Sequence, residues 1–205
     1  MTLSIIGSFW IVSFLFVITP GVDWAYAIAA GTRGKVVVPA VSGMLLGHLT
    51  ATMVVAAGIG ALVTRHPITL TIIVIIGALY LLWMGWNLIH KPSKLSSHKD
   101  QASGTWVSWL TKGTFVSGLN PKVFLLYLAL LPQFTDPSES WSISSQIVTL
   151  GLVHILSSAV IYLLVGFGAQ TVLQSRPVVA QIVSRVSGVL MIMIALVLLS
   201  DQAFT

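Results

Sequence analysis

Residues Phe115–Leu131 read FVSGLNPKVFLLYLALL, an apolar run of membrane-spanning length with Asn120, Pro121 and Lys122 in its interior. A bilayer-crossing helix should hold none of these three there. Proline removes a backbone donor and breaks the hydrogen-bond ladder, and an ammonium at bilayer depth costs ~3 kcal/mol on insertion scales. A second break of the same kind lies near the start of the chain, at Thr19-Pro20-Gly21 with Asp23 just beyond. The rest of the sequence is organised around these two breaks.

Of the 205 residues, 56% are hydrophobic and 7% charged, with a mean hydropathy of +0.98; soluble domains carry about 25% charged residues. Uncharged stretches long enough to cross a bilayer recur along the whole length. We therefore expect an all-α integral membrane protein with one transmembrane domain over residues 1–205 and no soluble module. The formal charge of +5 does not indicate nucleic-acid binding, because the basic residues stand between apolar runs and form no dense patch. Cysteine is absent, which excludes disulfides, thiol redox relays and thiolate metal sites. No other metal spacing occurs, and no cofactor is implied. Ala25-Tyr26-Ala27 resembles a signal-peptide cleavage site, but no basic residue precedes the run and Pro20-Gly21 interrupts it.

In chain order, Leu3–Thr19 followed by Val22–Ala30 makes a broken first span, ending at Gly31 with Arg33 and Lys35 beyond. Val36–Val63 is the second span, in which Gly43 and Gly47 form a GxxxG pair that lets backbones approach closely. Arg65-His66-Pro67 is a turn, and Ile68–Ile89 is the third span, with Tyr80, Trp83 and Trp86 suited to an interfacial belt. His90–Lys112 reads as an exposed polar loop. The broken fourth span runs to Leu131, Ile147–Phe167 is the fifth, Gln170–Pro177 a turn holding Arg176, and Val178–Leu199 the sixth. Arg185 lies near enough to the entry of the sixth span to snorkel.

With six spans, Arg33, Lys35, Lys91, Lys94, Lys99, Lys112, Arg176 and Arg185 fall on one side and Arg65 on the other. The positive-inside rule then puts loop 90–112 in the cytoplasm and both termini outside. The two halves also echo each other. Thr19-Pro20-Gly21 answers Asn120-Pro121-Lys122; Gly58-Ile59-Gly60-Ala61 answers Gly166-Phe167-Gly168-Ala169; Gly77-Ala78-Leu79 answers Gly188-Val189-Leu190. Three spans being an odd number, residues 113–205 would repeat residues 1–89 in inverted orientation. Inverted repeats with broken helices place a binding site near the midplane, where freed half-helix amides and carbonyls hold a small polar solute.

Asp23 has two readings, a cap for the amides after the break and a site that binds a proton or an ammonium during transport. Lys122 is either a counter-ion to Asp23 or the ligand of a substrate carboxylate. Asn120 satisfies groups freed by Pro121 or touches substrate, and Pro20, Gly21 and Pro121 shape the two breaks. His48 and His154 fall in the second and fifth spans, where each is either a hydrogen-bonded packing residue or part of a proton relay. Small-residue faces permit a homodimer without requiring one.

The segments TPGVDWAYAIAAGTRGKVVVPAVSGMLLG (Thr19–Gly47), GALYLLWMG (Gly77–Gly85) and GTFVSGLNPKVFLLYLALLPQF (Gly113–Phe134) resemble the signature regions of the LysE/RhtB family of bacterial amino-acid exporters. The resemblance implies a plasma-membrane secondary transporter, not an enzyme, that extrudes amino acids or close analogues against proton uptake. Where that family usually has Pro-Gly-Pro before Asn or Asp, this chain has Pro20-Gly21-Val22-Asp23. The rival readings are a channel for small solutes or ions and an exporter of a different solute. A hydrolase lacks a serine nucleophile in a recognisable arrangement with His48 or His154.

Overall fold

Proline and polar caps divide the apolar chain into its helices. The computed structural model describes residues 1–31, 33, 35–65, 67–90, 105–168 and 177–203, which are mostly helical and include no strand. Helix α1 (Leu3–Ile18) starts at Thr2, whose hydroxyl accepts the Ile5 amide, and stops before Pro20. Helix α2 (Val22–Gly31) continues at 59° to it. Helices α3 (Val37–Arg65) and α4 (Pro67–His90) follow.

Helix α5 (Trp106–Gly118) is capped by the Thr105 hydroxyl, and α6 (Pro121–Leu125) by Asn120. The chain then widens into a π turn over Leu126–Leu130 and tightens into a 3-10 turn over Leu131–Phe134. That change of register falls just before Pro132, which offers no amide to the Leu128 carbonyl. Helices α7 (Ile143–Gly168) and α8 (Pro177–Ala203) complete the fold.

Among the described residues, α7 and the Val37–Gly58 part of α3 are each long and apolar enough to cross a membrane. The bent pairs α1–α2 and α5 with Lys122–Phe134, the latter at 54°, qualify if each counts as one span; α4 and α8 hold shorter apolar stretches, Val74–Asn87 and Gly188–Ser200. Large apolar side chains cover the outside, with Ile68, Leu156 and Leu164 among the most exposed. Lipid, not water, accommodates such a surface.

Several sequence boundaries shift. Thr105 starts α5 seven residues before Lys112, so Lys112 is an exposed helical residue and the polar loop is shorter than 90–112. Helix α4 runs on to His90, and the helical turns that follow α6 run to Phe134. Arg185 is exposed on α8. His66, Lys91, Lys94, Lys99, the turn from Gln170 and Arg176 lie outside the described residues.

The small residues are used for packing within the chain. A Cβ on Gly43 would collide with the Leu110 carbonyl; on Gly47 it would meet the Gly118 amide and the Thr114 carbonyl, each at 2.6 Å; on Gly113 it would meet the Ala40 carbonyl at 2.5 Å. The GxxxG pair therefore seats α3 against α5, joining the two sequence halves. Helices α4 and α8 close on each other through Gly85, whose Cβ would lie 2.6 Å from the Gly188 carbonyl.

Two apolar clusters result. One gathers Phe9, Phe16, Leu81, Leu126, Tyr127 and Ile147. The other gathers Val17, Tyr26, Val37, Met44, Trp109 and Tyr162.

Candidate functional site

Pro20 leaves an orphan carbonyl, and one side of the site is built from what fills it. In an unbroken helix the Phe16 carbonyl would accept the amide of residue 20, which here is Pro20. Instead it accepts the Thr19 amide at 3.3 Å and the Lys122 ammonium at 2.6 Å. The Val17 carbonyl accepts the Trp24 indole at 2.8 Å. The Thr19 carbonyl takes a second Lys122 proton at 2.9 Å. The end of α1 is thus satisfied by side chains.

The second break has the same local form. Thr19 sits at φ −72°, ψ 119° and Asn120 at φ −72°, ψ 116°, the extended conformation that a following proline imposes. Asn120 Oδ1 accepts the Lys122 amide at 3.0 Å, capping α6 with Pro121 at its first position.

The two breaks grip each other. Asp23, the second residue of α2, accepts from Ser117 Oγ at 2.6 Å, Asn120 Nδ2 at 3.0 Å and Tyr162 Oη at 3.3 Å. These donors come from α5, the second break and α7. Among the described residues its carboxylate takes side-chain donors and not the amides of its own helix, so the capping reading gives way to a crosslink. Hydrogen bonds to a charged group contribute about 1.5–3 kcal/mol each.

Lys122 does not form an ion pair with Asp23: the one N···O contact of an ion pair among the described residues joins the Met1 amine to Glu139. Both residues are buried, at 8% and 2% exposure. They line one cavity with Phe16, His48, Val123, Leu126, His154 and Tyr162. It offers about 10 Å³ to the centre of a water, room for roughly one molecule. Gly21 borders Lys122, since a Cβ there would lie 4.0 Å from the ammonium.

His48 and His154 come together, with ring centroids 5.1 Å apart. His154 Nδ1 is 2.7 Å from Ser13 Oγ. Both ring nitrogens of His48 are buried without a hydrogen-bond partner, an arrangement rare enough in native interiors to call for a cause. Of the expected site residues, Asp23, Asn120, Lys122, His48 and His154 gather in one place, shaped by Pro20, Gly21 and Pro121.

Sequence reasoning missed Ser13, Ser117 and Tyr162. A signal for Tyr162 was present: Gln146, Leu150, His154, Ser158, Tyr162 and Gly166 recur every four residues on α7, and all six are buried. A polar stripe on an apolar helix marks an inward face.

The LysE type translocator family matches residues 14–202. The chain belongs to the LysE family. It is accordingly a membrane protein and a transporter, not an enzyme.

Among its LysE-family relatives is a leucine efflux protein of Enterobacter sp., 27% identical over 166 residues, covering 77% of this chain and 76% of the relative. A cysteine/O-acetylserine efflux protein of Salmonella choleraesuis is 27% identical over 154 residues, 72% of this chain and 76% of its own. An uncharacterized membrane protein of Vibrio cholerae is 30% identical over 135 residues, 65% of this chain and 63%, just under two thirds, of its own length. No solved structure matches the chain significantly.

Proposed function

We propose that this protein exports small neutral amino acids across the bacterial plasma membrane in exchange for protons. The observation that carries the reading is the meeting of two broken helices around Asp23 and Lys122, both buried and both facing one small cavity. Relatives named for leucine efflux and cysteine/O-acetylserine efflux support the substrate class. The matching dihedrals of Thr19 and Asn120 and the pairing of α4 with α8 support six spans in two inverted repeats, residues 1–89 and 113–205; the distribution of lysine and arginine supports a cytoplasmic lysine-rich loop with both termini outside.

In the proposed cycle, Asp23 binds the substrate ammonium when ionised and releases it on protonation. Its three side-chain donors belong to elements that must part for substrate to enter, because a one-water cavity is far smaller than an amino acid. Protonation removes the charge that holds those donors together, so proton binding and opening are linked. The apolar wall of Phe16, Val123 and Leu126 would receive the substrate side chain. His48 and His154 line the same cavity as Asp23 and offer a route for its proton.

Cells loaded with labelled leucine, cysteine or O-acetylserine test this directly, with the chain present, absent or carrying Asp23→Asn. We expect export that collapses with the proton gradient and is lost in Asp23→Asn. Full proton-coupled export by Asp23→Asn would falsify the assignment, and currents through single molecules in a planar bilayer would favour a channel instead.

A further inference from the structure

We propose that the carbonyl end of α1 is a binding site for a primary ammonium or a small monovalent cation, and that the ammonium of Lys122 is its tethered occupant. Broken-helix transporters commonly hold a coupling ion on the carbonyls of a half-helix C-terminus. Here those oxygens belong to Phe16 and Thr19, and the Lys122 ammonium lies 2.6 and 2.9 Å from them. The site exists because Pro20 denies Phe16 its helical donor and holds Thr19 extended, which turns both carbonyls toward one point.

The ammonium is bound as a free cation would be. Its two acceptors are neutral carbonyls, no carboxylate among the described residues reaches it within ion-pair distance, and it is nine-tenths buried. The negative end of the 16-residue α1 dipole faces it. The lysine comes from the opposite sequence half, so its charge also ties the second break to the first. The charged and titratable groups sharing its cavity are Asp23, His48, His154 and Tyr162. A cation supplied by the chain leaves no vacancy for sodium, which makes the resting protein indifferent to that ion.

Thermal unfolding of the purified full chain in detergent tests the site without reference to amino-acid export. Wild type, Lys122→Ala and Lys122→Arg are compared in methylammonium chloride, sodium chloride and tetramethylammonium chloride at equal ionic strength. Tetramethylammonium cannot donate a hydrogen bond and controls for salt. Lys122→Ala is expected to melt lower than wild type and to recover by about 3–5 °C at a methylammonium or sodium concentration ten times the dissociation constant. Wild type and Lys122→Arg should show no selective response.

Equal responses of Lys122→Ala to methylammonium, sodium and tetramethylammonium overturn the proposal. So does selective stabilisation of wild type by sodium, which can be read even where Lys122→Ala fails to fold. Absence of amino-acid export by the wild type, with the cation response of Lys122→Ala intact, would count against the exporter reading alone.

Discussion

Asn120 donates from Nδ2 to Asp23 Oδ2 at 3.0 Å while its Oδ1 accepts the Lys122 amide at 3.0 Å, so one amide side chain joins the two helix breaks. Asn120→Ala removes a cap and a bond to a carboxylate together, at a cost of about 2–4 kcal/mol. Asn120→Asp retains the cap but sets two carboxylates against each other. We expect both variants to melt lower than wild type in detergent, and Asn120→Asp to regain stability when the medium is acidified while Asn120→Ala does not.

The three donors to Asp23 differ in length, which orders their mutants. Ser117 Oγ lies at 2.6 Å and Tyr162 Oη at 3.3 Å. Ser117→Ala should therefore reduce export more than Tyr162→Phe, which keeps the ring packed and loses one long bond at the low end of the range for bonds to a charged group, about 1.5 kcal/mol. Initial rates of efflux in proteoliposomes, measured over a substrate series, would show it. The reverse order would mean that the tyrosine hydroxyl contacts substrate.

Close packing of α3 on α5 gives a paired prediction. Gly43→Ala drives a methyl into the Leu110 carbonyl and should destabilise by about 1–3 kcal/mol. Gly58, on the same helix, has nothing within 4 Å of its missing Cβ. Gly58→Ala should be neutral or stabilising by up to about 1 kcal/mol through helix propensity. Thermal melts of the two purified variants make the comparison, and equal losses would refute the packing argument.

The loop after the second broken helix carries a pH response of its own. The Ser138 hydroxyl and then the Ser138 amide hold the Asp136 carboxyl below its usual value. The folded value being depressed, this stabilisation is present above the ordinary carboxylate range, about 3.9, and is lost as pH falls through the folded value. Carboxyl chemical shifts should show Asp136 titrating below an ordinary aspartate, and Ser138→Ala should move it back up.

The helical character of nearly every segment, both breaks and their prolines follow from local chemistry. Apolar length, a missing amide at Pro20 and Pro121, and extended residues before each proline are properties of a few neighbours in the chain. Boundaries shifted where a cap decided them, as Thr105 did for α5. The residues Asp23, Asn120 and Lys122 stood out because charge and amide groups are costly inside an apolar run.

Their partners could not be read the same way. A proline dictates that the Phe16 carbonyl lacks its helical donor, but not that a lysine 106 residues away will supply one. Sequence chemistry left Lys122 with two candidate anions, and the fold instead turned it onto two neutral carbonyls. Likewise Ser117 and Ser13 carry no local mark of function, and the stripe on α7 marks Tyr162 only as inward-facing; they matter because close glycine packing brings α5 against α3, and α7 sets its polar stripe against Asp23. The sequence alone determined where the backbone is interrupted and which groups are left wanting partners. Only the tertiary structure decided which partners they found, since hydrogen bonds form by distance in space and these cross from one half of the chain to the other.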